Sequence, residues 1–127
     1  LRKKPEGRMP ARKETGDWGE AIAVRHLEDK GYVVVARNWR HGHGELDLIV
    51  EHGGVIVFVE VRARHGEAYG APEETLGPAK RAKLAQTAQA WLSVNERLDS
   101  PARFDVIAID LNPRNEVARI THYENAF

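Results

Sequence analysis

Two acidic residues stand where their neighbours call for dry side chains. Glu60 interrupts the apolar run VIVFVEV, and Asp47 sits inside LDLIV. A buried carboxylate without a partner is costly, so each asks for a counter-charge or a task. If Gly53-Gly54 form a two-residue hairpin turn, the two runs become antiparallel neighbours with Asp47 directly opposite Glu60. Facing positions hold their Cβ atoms about 4.5–5.5 Å apart. Two like charges about 4 Å apart repel by roughly 4 kcal/mol at the effective dielectric of a protein surface. Something positive belongs between them. Arg62, two residues along the same face and opposite Glu45 in this register, is one candidate; a metal ion is the other.

A third acid, Glu20, lies four residues before Val24 and seven before Leu27, near the apolar stripe of a helix. From there it can reach the sheet end where Asp47 and Glu60 point. Three converging carboxylates suit Mg²⁺ or Mn²⁺, which favour oxygen ligands. A cation so held typically serves phosphodiester hydrolysis, activating water and neutralising charge on the phosphate. The bland readings use the same residues. Asp47, Glu60 and Arg62 also read as a structural ion cluster. Asp17-x-x-Glu20 also reads as a capping box with Asp17 at the N-cap.

Other candidates carry less. His41, His43 and Glu45 alternate and would share a face with Asp47 in an extended strand, a weak zinc pattern set in a glycine-rich turn. Asp105, in RFDVIAID, reads as a buried partner of Arg103 or of a neighbouring strand. Glu45 reads as a rim residue paired with Arg62 or Arg64. The chain shows no glycine-rich phosphate loop, nucleophile triad or amphipathic membrane helix.

The elements that must position these residues can be read in order. Apolar residues at Trp18, Ala21, Val24 and Leu27 predict a helix over 16–30, closed by Gly31 at C′. Strands follow at 32–39, LDLIV and VIVFVEVRAR, separated by HGHG and by Gly53-Gly54. The loop HGEAYGAPEETLGP is long enough to lie beside a site. Pro78 opens a second helix whose stripe is Leu84, Ala88, Trp91 and Leu98. Two strands, 103–111 and 116–123, flank the turn NPRN. The order αβββαββ predicts an α/β or α+β single domain, a mixed sheet flanked by helices.

Composition bounds the function. The 127 residues suit one domain, and 42% hydrophobic with 30% charged content is that of a soluble globular protein. No membrane span is expected. Without cysteine there is no disulfide, thiolate zinc site or cysteine nucleophile, and no apolar leader follows the basic start, so a cytoplasmic location is expected. Net charge is zero, but Arg2, Lys3, Lys4, Arg8, Arg12 and Lys13 crowd the first fourteen residues. That arm, 1–14, reads as disordered, either tracking a phosphate backbone or simply solvated.

Glu20 on its helix, Asp47 in GELDLIV and Glu60-Val61-Arg62 in FVEVRAR resemble the PD-(D/E)XK nuclease superfamily, with its strand acid followed by E-x-K. More narrowly, GDWGEAIA, NWRHGHGELDLI, VFVEVRAR, YGAPEE, RFDVIAID and NAF, in order over 15–127, are similar to the YraN-like family of bacterial proteins. That family is regarded as resembling archaeal Holliday junction resolvases. The resemblance implies a restriction-endonuclease-like fold and a Mg²⁺- or Mn²⁺-dependent DNA endonuclease, with branched or structured DNA as substrate and a homodimer as assembly. It implies Glu20, Asp47 and Glu60 as metal ligands, completed by the backbone carbonyl of Val61. Arg62 departs from the superfamily's lysine. Arginine does not serve as a general base, though its fork can hold a phosphate oxygen or orient water. Lys80, matching a lysine of the family pattern, or Lys83 one turn on, is a candidate for the missing ammonium; both also read as solvated charges. Two alternatives stand beside catalysis: a non-catalytic nucleic-acid-binding module on a nuclease fold, favoured by the missing E-x-K lysine, and a protein-interaction domain with a structural acid cluster.

Overall fold

The computed structural model describes residues 15–65 and 76–127. The basic arm and most of the loop with YGAPEE lie outside these residues. The chain forms α1 (Thr15–Asp29), β1 (Val33–His41), β2 (Gly44–His52), β3 (Val55–His65), α2 (Pro78–Val94), β4 (Ala102–Leu111) and β5 (Val117–Tyr123). The expected αβββαββ order and α+β class are therefore observed. The sheet runs β1-β2-β3-β4-β5; every neighbouring pair is antiparallel except β3 and β4, which α2 connects in parallel. A parallel pair needs such a crossover, because a tight turn reverses direction.

Among the described residues, each face of the sheet carries one helix. Under α1 lie Leu48, Val50, Val57, Val59, Ile107 and Ile109, packed on Trp18, Ile22, Ala23, Val24 and Leu27. The buried stripe thus runs through Ile22 and Ala23, whereas Ala21 is only half-buried. On the other face Leu46, Ile49, Ile56 and Phe58 meet Leu84, Ala88 and Trp91 of α2. Here the sequence reading overran: α2 ends at Val94, Glu96 takes φ 56°, and Leu98 lies beyond the helix, 58% exposed. At the end of α1, Gly31 adopts φ 89° and the Tyr32 N–H returns to the Leu27 carbonyl at 3.0 Å, the capping expected of a C′ glycine. No helix among the described residues is long and apolar enough to cross a membrane.

The turn between β2 and β3 has Gly53 at φ 57° and Gly54 at φ 80°, the two positive angles of a type I′ turn. Its register is the expected one, from His52↔Val55 to Leu48↔Val59. Among the described residues that is the last pair between these strands, while β2 stays paired with β1 to Gly44 and β3 with β4 to His65. The strands part where Asp47 and Glu60 would have paired. Strict alternation would put Leu46 on the same face as Leu48, yet Leu46 belongs to the α2-side core with Ile49. The strand therefore turns over at Asp47.

Candidate functional site

The opening between β2 and β3 explains how the two acids meet. In a continuing antiparallel ladder the Val61 N–H would bond to the Leu46 carbonyl. Here it donates to Asp47 Oδ2 at 2.9 Å. The Asp47 carboxyl also stands beside that of Glu60 in the same cleft. Burial, then the nearby Glu60 charge, push Asp47 up to about 8, with the Glu20 charge a smaller push in the same direction and the Val61 amide a partial relief. The pair sits over an apolar floor of Leu46, Phe58, Leu84, Phe104 and Phe127.

The counter-charge comes from α2. Lys80 Nζ lies 2.9 Å from Glu60 Oε2; the lysine is half exposed, but Glu60 is not. Arg62 was the nearer candidate in sequence, and among the described residues it has no hydrogen-bond or ion-pair partner. A cleft of about 320 Å³ opens between the hairpin end and the helix, lined by His43, Gly44, Glu45, Asp47, Glu60, Lys80, Lys83 and Leu84. It has carboxylates on one wall and ammonium groups on the other.

Glu20 takes a different place from the one expected. It is buried, but Asn38 Nδ2 donates to its Oε1 at 2.7 Å and Arg37 Nη2 stands 4.0 Å away. Burial raises its pKa, against the lowering influence of Asn38 and Arg37. Among the described residues no group of three His, Asp or Glu side chains is placed to hold a metal ion. The three-carboxylate convergence is thus not formed in this structure: Asp47 and Glu60 meet, while Glu20 stays within reach only of their field. The capping box also fails, because α1 begins at Thr15 and Glu20 turns to Asn38 rather than back to the Asp17 amide.

Three smaller readings can be settled the same way. Glu45 pairs with Arg40, its cross-strand neighbour, at 2.5 Å rather than with Arg62 or Arg64. Arg64 bonds to Asp110 at 2.6 Å. His41 and His43 are separated by a turn in which Gly42 takes φ 59°, and His41 lies parallel to Trp39, so the alternating zinc pattern does not exist. Asp105 behaves as read: fully buried, it accepts from Arg103 Nε at 3.0 Å, lies 2.7 Å from His122 Nε2 and accepts the Asn125 N–H at 3.0 Å.

Sequence reasoning missed Asn38. It sits within β1 at φ 50°, a left-handed angle unusual in a strand, and this presents its amide to Glu20. The signal was available, since asparagine is the commonest residue after glycine to accept that conformation.

The donor set fits a hard divalent cation in one respect visible here. Asp47 and Glu60 are two oxygen donors side by side in a half-enclosed cleft, where burial and the Glu60 charge raise Asp47, and a cation can take the place of the Asp47 proton. Val61 directly follows Glu60 in the chain, and its N–H is already committed to Asp47.

Comparison with known proteins gives a consistent set of relatives. The family described as "Uncharacterised protein family UPF0102" matches residues 19–109. A "UPF0102 protein" of Geotalea uraniireducens is 44% identical over 91% of this chain and 90% of its own length. One from Pelotomaculum thermopropionicum is 45% identical over 92% and 98%, and one from Roseiflexus castenholzii 43% over 87% and 90%. Among solved structures, that of Pyrococcus furiosus SfsA in complex with Ca²⁺ overlaps 95% of this chain and 68% of its own, at 14% identity and a TM-score of 0.35. That overlap is too loose to carry anything across.

Proposed function

Because the chain belongs to the uncharacterised protein family UPF0102, the YraN-like family its motifs resemble, its function must come from its site, and we propose a Mg²⁺- or Mn²⁺-dependent DNA endonuclease. One observation carries this reading: β2 and β3 part where Asp47 and Glu60 meet, leaving two neighbouring carboxyl groups at the edge of a cleft faced by lysines. A structural ion cluster would be better served by a full ladder and a neutralising partner for each acid. Here Glu60 has Lys80, while Asp47 has a backbone amide and a neighbour of its own sign.

Asp47 and Glu60 would hold the cation, with the Val61 carbonyl as a further ligand and Glu20 as a more distant acid. Bound there, Mg²⁺ or Mn²⁺ supplies Lewis-acid activation of water and charge neutralisation at the phosphate. The side chains do the rest. Lys80 pairs with Glu60 and brings an ammonium to the cleft, as the E-x-K lysine would. Arg62 offers its fork to a non-bridging phosphate oxygen, where it stabilises charge growing in the transition state. The expected substrate is DNA, branched or otherwise structured, as the YraN-like resemblance to junction resolvases suggests.

The runner-up is a nucleic-acid-binding module without catalysis, favoured by Arg62 at the lysine position. A labelled panel of four-way junction, flap, single strand and duplex, incubated with Mg²⁺ or Mn²⁺ beside Asp47→Ala purified identically, separates the two. Metal-dependent cleavage absent from the variant supports the nuclease. DNA bound but uncut by the wild type supports the module.

A further inference from the structure

The lysine that faces Glu60 is carried on a helix, so its usefulness depends on where that helix sits. The start of α2 is capped by no side chain, although Leu76 just before it is fully buried. Its N-cap, Gly77, offers no side-chain bond, and no acid occupies the first turn. Two turns along the same face from Lys80 lies Thr87, buried, with Oγ1 donating to the Lys83 carbonyl at 2.8 Å. Thr87 rests directly on Gly44, the first residue of β2. A Cβ built on Gly44 would collide with Thr87 Oγ1 and lie 3.1 Å from both Thr87 Cβ and Cγ2. Threonine is branched at Cβ and stiff in a helix, and whichever rotamer it takes its Cβ stays 3.1 Å away.

We infer that Gly44 and Thr87 form a seat that sets the height of α2 over the sheet and thereby places Lys80 against Glu60. Both are positioning residues of the carboxylate cleft. The lever is favourable. Farther along α2, Trp91 is anchored edge-on to Phe58, ring centroids 6.0 Å apart. At 1.5 Å of rise per residue, Thr87 is about 6 Å from that pivot and Lys80 about 16 Å. A lift of about 1 Å at Thr87 therefore becomes nearly 3 Å at Lys80, enough to part the 2.9 Å contact with Glu60. The Lys83 ammonium and the cleft width move with it. No other glycine among the described residues has a helix side chain this close.

The catalytic consequence rests on the nuclease reading; the structural one does not. Crystal structures of Gly44→Ala, Thr87→Ile and the double variant Gly44→Ala/Thr87→Ala give the Lys80 Nζ to Glu60 Oε2 distance, and cleavage of the DNA panel gives kcat and KM. Gly44→Ala and Thr87→Ile approach the seat from opposite sides, so a folding failure in one leaves the other. We expect the ion pair to open in both single variants and to close again in the double one. With it, kcat should fall about 100-fold, the scale of an ångström-sized misplacement, with KM little changed, and should recover in the double variant. An ion pair kept at its present distance in a folded single variant overturns the proposal, as does a double variant that stays open. If the wild type cuts nothing, the nuclease reading falls, and the distances alone still decide whether the seat exists.

Discussion

At the scale of single residues the behaviour of Asp47 is the most informative. Burial beside Glu60 raises it from an ordinary 3.8 to about 8. Between those values the folded chain keeps a proton that the unfolded chain has released, so this group's stabilising contribution is present below about pH 4 and is lost as pH rises toward 8. Asparagine does not ionise. From pH 5 to 8.5 the wild type should therefore lose at least about 1.4 kcal/mol relative to Asp47→Asn, measured by denaturant unfolding in metal-free buffer. Parallel pH profiles would show that Asp47 is not raised. Kinetics should distinguish Arg62 from Lys80. If Arg62 holds phosphate, Arg62→Ala raises KM by about tenfold with a smaller fall in kcat. Lys80→Ala instead lowers kcat by about 10²-fold or more, as for loss of a transition-state contact.

At the scale of elements, the site depends on two departures from regular strand geometry. One is the early end of the β2–β3 ladder; the other is the left-handed Asn38 within β1, which turns its amide onto Glu20. Replacing Asn38 by alanine removes that hydrogen bond and leaves a Cβ in a strained angle, so a loss of about 1–3 kcal/mol is expected, with Asn38→Gly losing less. Thermal or denaturant unfolding checks the order; an equal loss in both would mean the backbone angle is irrelevant. These departures also mark the limit of what the sequence disclosed. Periodicity and turn residues located every element, and Gly53-Gly54 gave the hairpin register, because those signals are local. The register placed Asp47 opposite Glu60 but could not say that the ladder stops one pair earlier, since Val61's amide has two possible acceptors and only tertiary packing chooses between them. For the same reason Glu20 fell near the stripe yet found Asn38, whose left-handed angle has no periodic signature. Lys80 was only one of two lysines that could have met Glu60.

Across the whole molecule, the sheet separates a cleft end from a structural end. At the latter, Asp105 lies fully buried among Arg103, His122 and the Asn125 amide. Burial alone would raise its pKa, but the bonds from His122, Arg103 and Asn125 outweigh it and hold the carboxyl below the usual range. Its stabilisation is present above the ordinary carboxylate value and is lost as pH falls through the lowered one, opposite in sign to Asp47. Stability should therefore peak in mildly acid solution, falling below it as Asp105 takes up a proton and above it as Asp47 loses one. Asp105→Ala removes the fully buried acceptor that Arg103, His122 and the Asn125 amide share and should lose about 3–5 kcal/mol, while leaving any cation binding at the cleft in place; loss of both together would join the two ends. Everything proposed for the cleft turns on whether Asp47 gives up its proton so that it and Glu60 can hold a cation. The most direct measurement is calorimetric titration of Mn²⁺ into the protein at pH 7 in buffers of different ionisation enthalpy, beside Asp47→Ala. We expect one site that releases close to one proton per ion and vanishes in the variant. No binding, or binding that persists unchanged in Asp47→Ala without proton release, would contradict it.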